Sequence, residues 1–350
     1  LAALSSPLPV SERELAVTAS IGLALSTSAA DTPADLLRFA DVALYRAKEA
    51  GRACCEVFYP GMNREALARL ELERDLRGAV ERGEIAVNYQ PTVDLATGRV
   101  VGLEALARWH HPARGMVPPG DFIPLAEETG LIVSLGRWVM RRACHQLAAW
   151  RARYPGIAVP VLAVNLSPRQ FRQPNLADDV AGILAETGLP AGLLRLEITE
   201  TVAMTWPEAT ITALSALRAL GVGLALDDFG TGYSSLARLQ HLPVDALKVD
   251  RSFFAGGERN HTILKAVVDL GHGLGLEALA EGLETAAQVA WARGAGFDRG
   301  QGYYFSPPLR AAEVEALWVA GLTFDLPSDP APDVPPRVAP NQAAVGSLPA

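Results

Sequence analysis

Leu224-Ala-Leu-Asp-Asp-Phe-Gly-Thr-Gly-Tyr-Ser-Ser235 is the stretch around which this chain is organised. Gly223 to Leu226 is a short apolar run of the kind found in buried strands, and it ends in two adjacent carboxylates, Asp227 and Asp228. A loop with Gly230 and Gly232 follows, then a helix-like stretch from Ser234. Two acids at the mouth of a buried strand are costly unless a metal or another cation compensates them. A single Asp after a strand suits a helix N-cap. Two in succession, with a glycine-hinged loop behind them, favour a metal site, and the other strand ends decide between the readings.

Outward from that stretch, the sequence after Glu84 repeats one rhythm: short apolar strand, turn, helix. Strands are predicted at Ile85–Gln90, Val100–Leu106, Val161–Asn165, Leu194–Ile198, Gly223–Leu226, Ala246–Val249, Glu277–Ala280 and Gly300–Phe305. Helices are predicted at Asp121–Glu128, Leu135–Tyr154, Leu176–Thr187, Trp206–Leu220, Ser235–Gln240, Asn260–Leu274 and Thr285–Arg293. Only the first two strands lack a helix between them, and Asp94-Leu-Ala-Thr-Gly98 reads as a hairpin. Eight strands with helical crossovers make a TIM-like (β/α)8 barrel whose first strand runs antiparallel. The expected organisation is an α/β fragment over residues 1–60, a linker helix at 61–83, the barrel at 84–325 and a disordered Pro/Ala-rich tail at 326–350.

The 350 residues accommodate a barrel of roughly 250 residues beside a small module. Apolar residues make up 49% and charged residues 20%, a globular composition. A net charge of −8 argues against a DNA or RNA polymer as partner but not against a small anion held through metal ions. Cys54, Cys55 and Cys144 are odd in number and lack metal-ligand spacing, so reduced thiols and a cytoplasmic setting are expected. No membrane contact is expected from these residues, although a parent protein could be anchored upstream.

Near the N-terminus, Glu14 to Leu25 suits a strand; Leu36, Leu37, Ala40, Ala43, Leu44 and Ala47 follow at helix spacing, with Gly51 as the stop. Cys55 to Tyr59 suits one more short strand. Val17-Thr-Ala-Ser-Ile-Gly22 and Ala40-Asp-Val-Ala-Leu-Tyr-Arg-Ala-Lys-Glu-Ala-Gly51 resemble the last third of a GGDEF (diguanylate cyclase) domain over residues 14–59. The signature turn of that family and its metal carboxylates are not in this chain, so the fragment is not expected to make a cyclic dinucleotide unaided. Asn63 to Glu81 is an amphipathic helix expected to join the two modules and pack on the second.

In a barrel of this kind, chemistry lies at the carboxyl ends of the strands. Those ends are Glu104, Asn165, Glu197, Asp227 with Asp228, Lys248, Glu281 and Gln301. Strand alternation puts Leu194, Leu196 and Ile198 on the face toward the helices and Glu197 on the other; it does the same for Leu162, Val164 and Leu166 against Asn165. Asp227 shares its face with the small Gly223 and Ala225, which leaves room for ions. Carboxylates and an amide are hard oxygen donors that select Mg²⁺ or Mn²⁺. The histidines read as ordinary positions, His110 and His111 in a loop and the rest in helices or turns, and Gly271-His-Gly-Leu-Gly275 reads as a turn ending a helix.

Gly102-Leu-Glu-Ala-Leu-Ala-Arg-Trp109 resembles the motif that names the EAL family of cyclic di-GMP phosphodiesterases. The resemblance continues, in order, through Asn88-Tyr-Gln-Pro91, Asp121-Phe-Ile-Pro-Leu-Ala-Glu-Glu-Thr-Gly130, Val164-Asn-Leu-Ser167 and Glu197-Ile-Thr-Glu200. Further on it includes the Asp227-Asp228 stretch, Leu247-Lys-Val-Asp250, Ala280-Glu-Gly-Leu-Glu284 and Gln301-Gly-Tyr-Tyr304, covering residues 66–320. It implies the same barrel with its antiparallel first strand, and a dimer. It also implies that Glu104, Asn165, Glu197 and Asp227 bind one divalent ion, with Asp227 bridging to a second held with Asp228 and Glu281. Lys248 would hold or polarise the attacking water, Gln301 would support the site, and Gln90 and Arg108 would contact the nucleotide. Glu200 would tie down the loop after Asp228. The expected product is the linear dinucleotide pGpG. The alternatives are a receptor that binds cyclic di-GMP without cleaving it and a dimeric scaffold. Departures from the family pattern are Ala107, Asn88 and a short Phe254–Arg259 connection, none of which removes a ligand.

Overall fold

A computed structural model describes residues 8–10, 13–15, 18–26, 32–49, 51, 53–205, 207–230, 239–255, 258–321 and 323–327. The chain divides into two compact units, Leu1–Arg82 and Gly83–Ala350. Among the described residues no helix is long and apolar enough to cross a membrane.

Among the described residues the first unit has two small sheets. One pairs β1 (Leu8–Val10) with β2 (Arg13–Leu15). The other pairs β3 (Ile21–Leu23) in parallel with β4 (Cys55–Val57) across the helix Pro33–Glu49. The single strand expected over Glu14–Leu25 is therefore two strands, β2 and β3, in different sheets. Gly22 explains the close packing of β3: a Cβ there would lie 2.2 Å from Ala40 O in the helix. The amphipathic run beyond forms the helix Gly61–Leu76, shorter than the sequence suggests.

The second unit is a closed barrel of eight strands. They are β5 (Ile85–Asp94), β6 (Val100–His111), β8 (Val161–Leu166), β9 (Leu194–Thr199), β10 (Gly223–Phe229), β11 (Ala246–Val249), β12 (Glu277–Ala280) and β13 (Arg299–Gly300). From β6 round to β13 neighbouring strands run parallel, while β5 is antiparallel to both β6 and β13. A short hairpin strand, β7 (Gly115–Val117), pairs with the end of β6. His110 and His111 accordingly lie in β6, not in a loop, because the strand runs on to pair with this hairpin.

The last strand is the clearest departure from expectation. It was expected at Gly300–Phe305, but only Arg299–Gly300 pairs. Gly302 packs against the backbone of Leu283, where a Cβ would meet Leu283 O at 2.1 Å, and the chain turns there. Gln301 thus sits where the strand ends. Residues 235–238 of the helix expected at Ser235–Gln240 lie outside the described residues, as does most of the proposed tail.

Alternation sorts the barrel's side chains as the pleat requires. Leu162, Val164, Leu166, Leu194, Leu196, Ile198, Leu224 and Leu226 all join one buried cluster with side chains of the helix layer such as Leu147, Val180, Ile183 and Leu214. A second cluster around Val249, Ala278, Ala280, Val289 and Phe297 covers the opposite arc. Toward the amino ends of the strands, Glu277 bridges two arginines inside the barrel, accepting from Arg195 at 2.8 Å and Arg299 at 2.6 Å.

Candidate active site

Two residues above Arg195 on β9 stands Glu197; two above Ala225 and four above Gly223 on β10 stands Asp227; two above Arg299 of β13 comes Gln301. β6 supplies Glu104, β8 Asn165 and β11 Lys248, each on the face opposite its apolar neighbours. The antiparallel β5 brings Gln90 directly across from Glu104. The barrel therefore gathers at its carboxyl mouth Glu104, Asn165, Glu197, Asp227, Lys248 and Gln301, all read as strand ends from the sequence, together with Gln90, which the family resemblance singled out.

Lys248 lies at the centre. It is 1% exposed, and its Nζ stands 2.6 Å from Glu197 Oε2, 2.5 Å from Glu281 Oε1 and 3.4 Å from Asp227 Oδ2. Burial lowers the lysine's pKa, but Asp227, Glu104, Glu197 and Glu281 together outweigh it and hold the ammonium charged. Burial raises Glu197 well above the ordinary carboxylate range and pushes Glu281 up to about 8, with Lys248 opposing both. Asp228 is raised too, by burial and then by Asp227.

A second set of bonds adjoins the first. Glu104 accepts from Asn165 Nδ2 at 2.6 Å and from Gln301 Nε2 at 2.5 Å. Gln301 also donates to Gln90 Oε1 at 3.1 Å and accepts from Thr92 Oγ1 at 3.2 Å, while Gln90 Nε2 reaches Ser306 O at 3.1 Å. Thr92 and Ser306 were not anticipated; the signal for Thr92 is its place two residues from Gln90 on the same face of β5.

The paired aspartates differ in backbone as well as position. Asp228 has φ +55°, a left-handed conformation that a side chain with a Cβ seldom adopts, and its N–H bonds Asp227 Oδ1 at 2.9 Å. Two residues on, Gly230 at φ +96° donates its N–H to Glu200 Oε2 at 2.8 Å. A Cβ at Gly230 would strike the Phe253 ring at 2.6 Å. The loop from 231 to 238 lies outside the described residues.

A cavity of about 460 Å³ opens beside the site. Gln90, Arg108 and Asn165 line it, with Tyr303, Ile123, Ile132 and Leu135 among the rest. Arg108 donates from Nη1 to Ala107 O at 2.7 Å, and burial lowers its pKa against Tyr303 and Glu104. Glu127 is the acid of the cavity's lining.

The EAL domain family matches residues 73–308, two-thirds of the chain, in the order that the site residues follow. The chain belongs to the EAL domain family. A second match, to the diguanylate cyclase GGDEF domain, covers residues 1–54. Pseudomonas aeruginosa MucR, named a bifunctional diguanylate cyclase/cyclic di-GMP phosphodiesterase, is 42% identical over 316 residues, 89% of this chain and 46% of MucR. The cyclic di-GMP phosphodiesterase NbdA of the same organism is 40% identical over 316 residues, 89% of this chain and 40% of NbdA. A solved structure described as the PaMucR phosphodiesterase in complex with c-di-GMP is 43% identical and superposes with a TM-score of 0.67, covering 70% of this chain and 99% of that one. The chain spans less than half the length of these two curated relatives.

In this EAL barrel the donor set fits hard divalent ions. Five carboxylates, Glu104, Glu197, Asp227, Asp228 and Glu281, share one neighbourhood with one buried ammonium, and burial raises Glu197, Asp228 and Glu281, as uncompensated negative charge requires. All are oxygen donors, and Asn165, whose nitrogen bonds Glu104, has its carbonyl oxygen left to offer. Among the described residues the carboxylates gather around Lys248, and no three of them stand as an ion's ligand cluster. Arg108, four residues beyond Glu104 on β6, lines the cavity.

Proposed function

We propose that this EAL domain hydrolyses cyclic di-GMP to the linear dinucleotide pGpG. The observation that carries the reading is the buried Lys248 held by Glu197 and Glu281 at the barrel's mouth, next to a cavity lined by Arg108 and Gln90. Glu104, Asn165, Glu197 and Asp227 would hold one Mg²⁺ or Mn²⁺, and Asp227, Asp228 and Glu281 a second. Such ions supply charge neutralisation for a phosphodiester and lower the pKa of an attacking water.

The chain's own residues have distinct parts in this reading. Lys248 places a fixed positive charge against the scissile phosphate and holds the water's oxygen. Arg108 and Gln90 contact the nucleotide, Arg108 at a phosphate. Gln301 keeps the Glu104 carboxylate in place by a 2.5 Å bond. Glu200 positions the segment after Asp228 through Gly230. The proposal includes a homodimer and a cytoplasmic location, the compartment in which unpaired thiols persist.

The test is chromatographic analysis of nucleotides after incubating the purified chain with cyclic di-GMP and Mg²⁺ or Mn²⁺, with and without EDTA. pGpG formed with metal and suppressed by EDTA is the expected result. Unchanged turnover in EDTA overturns the metal assignment. Cyclic di-GMP bound but never cleaved makes the chain a receptor, and no binding at all makes it a scaffold.

A further inference from the structure

We infer that Glu127 is the residue that selects guanine as the base of the substrate; the inference rests on the proposed function and names a determinant within that site. The cavity beside the carboxylates is lined largely by apolar side chains, Ile123, Ile132, Leu135 and Val139 among them. Among the described residues its charged lining groups are one cation, Arg108, and one carboxylate, Glu127, beside the phenol of Tyr303. Glu127 is half-buried, and its side chain makes no hydrogen bond or ion pair among the described residues. The charges near it are Arg169, which donates to the Glu128 carbonyl at 2.8 Å, and Glu128. Burial raises the Glu127 pKa against Arg169, the mark of a carboxylate short of donors.

A ligand complementary to this lining carries a phosphate for the guanidinium, a flat apolar body for the aliphatic walls, and paired N–H donors for a carboxylate. Guanine supplies that pair along one edge, from N1–H and the N2 amino group, matching the two oxygens of one carboxylate. Adenine has neither an N1 hydrogen nor a 2-amino group, so it cannot offer the half-buried carboxylate that pair of donors. A site built to hydrogen-bond one group rejects an analogue lacking it more strongly than an apolar wall rejects an extra atom. The backbone that carries Glu127 is fixed, because the helix Pro119–Thr129 buries Phe122, Leu125 and Ala126.

The experiment compares the intact chain with Glu127→Gln and Glu127→Asp on three substrates: cyclic di-GMP, cyclic di-AMP and the base-free diester bis(p-nitrophenyl) phosphate. Glu127→Gln replaces one acceptor by a donor at constant shape. It should raise KM for cyclic di-GMP by about ten- to a hundredfold, the worth of one bidentate base contact, with kcat falling much less. The preference for cyclic di-GMP over cyclic di-AMP and over the base-free diester should fall by the same factor, and Glu127→Asp should lie between. Calorimetric binding of both dinucleotides provides a readout independent of turnover. If Glu127→Gln, folded by its melting temperature, keeps both preferences within twofold, the inference is overturned and the proposed function stands. If the unaltered chain cleaves none of the substrates, the proposed function fails, and the calorimetric ratio alone decides for or against Glu127.

Discussion

Glu200 and Gly230 are thirty residues apart in sequence and joined by a 2.8 Å bond from the glycine's N–H to the carboxylate. Glu200 is 3% exposed and ligates nothing in the proposed scheme, yet it fixes the backbone two residues beyond Asp228. Removing an outer partner of this kind costs metal sites about ten- to a hundredfold in affinity or activity. Glu200→Ala should lower turnover by that factor and raise the Mn²⁺ concentration needed for half-maximal rate. A metal titration of the variant that superposes on that of the parent chain would remove this control from the loop.

Lys248 neutralises acids that have no other buried cation beside them in the described residues. Taking away one partner of a buried ion pair costs about 3–5 kcal/mol, since the other charge remains. Lys248→Met in EDTA should lose stability on that scale in urea denaturation and recover part of it when Mn²⁺ is added. Turnover should not return with the stability.

Glu104 is the acceptor for Asn165 and Gln301 at once, so its loss frees two amides as well as a proposed ligand. Glu104→Ala should abolish pGpG formation measured by chromatography while leaving the circular dichroism spectrum unchanged. Near-normal rates in this variant would disqualify the barrel mouth as the reaction site.

Glu315 fastens the last helix, Ala311–Val319, to the helix Ile132–Arg153 and to Tyr154 just beyond it. It accepts from Tyr154 OH at 2.7 Å, Arg153 Nη1 at 2.8 Å and Trp150 Nε1 at 2.9 Å. Glu315→Ala leaves the buried indole N–H without its acceptor, a cost of about 1–3 kcal/mol in urea denaturation. Hydrogen bonds from Tyr154, Arg153 and Trp150 lower the Glu315 pKa below its ordinary value of 4.5. Its contribution is therefore present above pH 4.5 and lost as the pH falls through the lowered value, so parent and variant should converge in stability toward acid.

Burial pushes the Cys144 thiol up to about 12 and removes it from solvent, whereas Cys55 is exposed. Since the thiolate is the reactive form, a maleimide at pH 8 should label Cys55 within minutes and Cys144 only as the barrel unfolds. Mass spectrometry of native and urea-treated protein distinguishes the two. Prompt labelling of Cys144 in native conditions would mean that the helix Ile132–Arg153 opens locally.

Much of the barrel was legible because its strands obey a period of two. Leu194, Leu196 and Ile198 against Glu197, and Leu162, Val164 and Leu166 against Asn165, fix both the strand and the direction of its polar residue. The eighth strand was misjudged because Gly300 to Phe305 is apolar enough for a strand, while the turn is set by the approach of Gly302 to Leu283, a tertiary contact without local signature. Lys248 was read as a strand end, but its place among three acids comes from closure of the sheet, which brings β9, β10 and the segment after β12 around β11. Glu127 and Tyr303 stand in stretches that carry the family resemblance but received no role, because they belong to a helix and a turn, outside the strand-end rule that found the others.

The arginines that flank Glu277 have a kinetic consequence. With Arg195, Glu277 and Arg299 filling the barrel below the site, whatever reaches the carboxylates enters from above and leaves the same way. Substrate and linear product then share one doorway and one site, so in the proposed reaction pGpG should act as a competitive inhibitor whose rebinding slows the cycle as it accumulates.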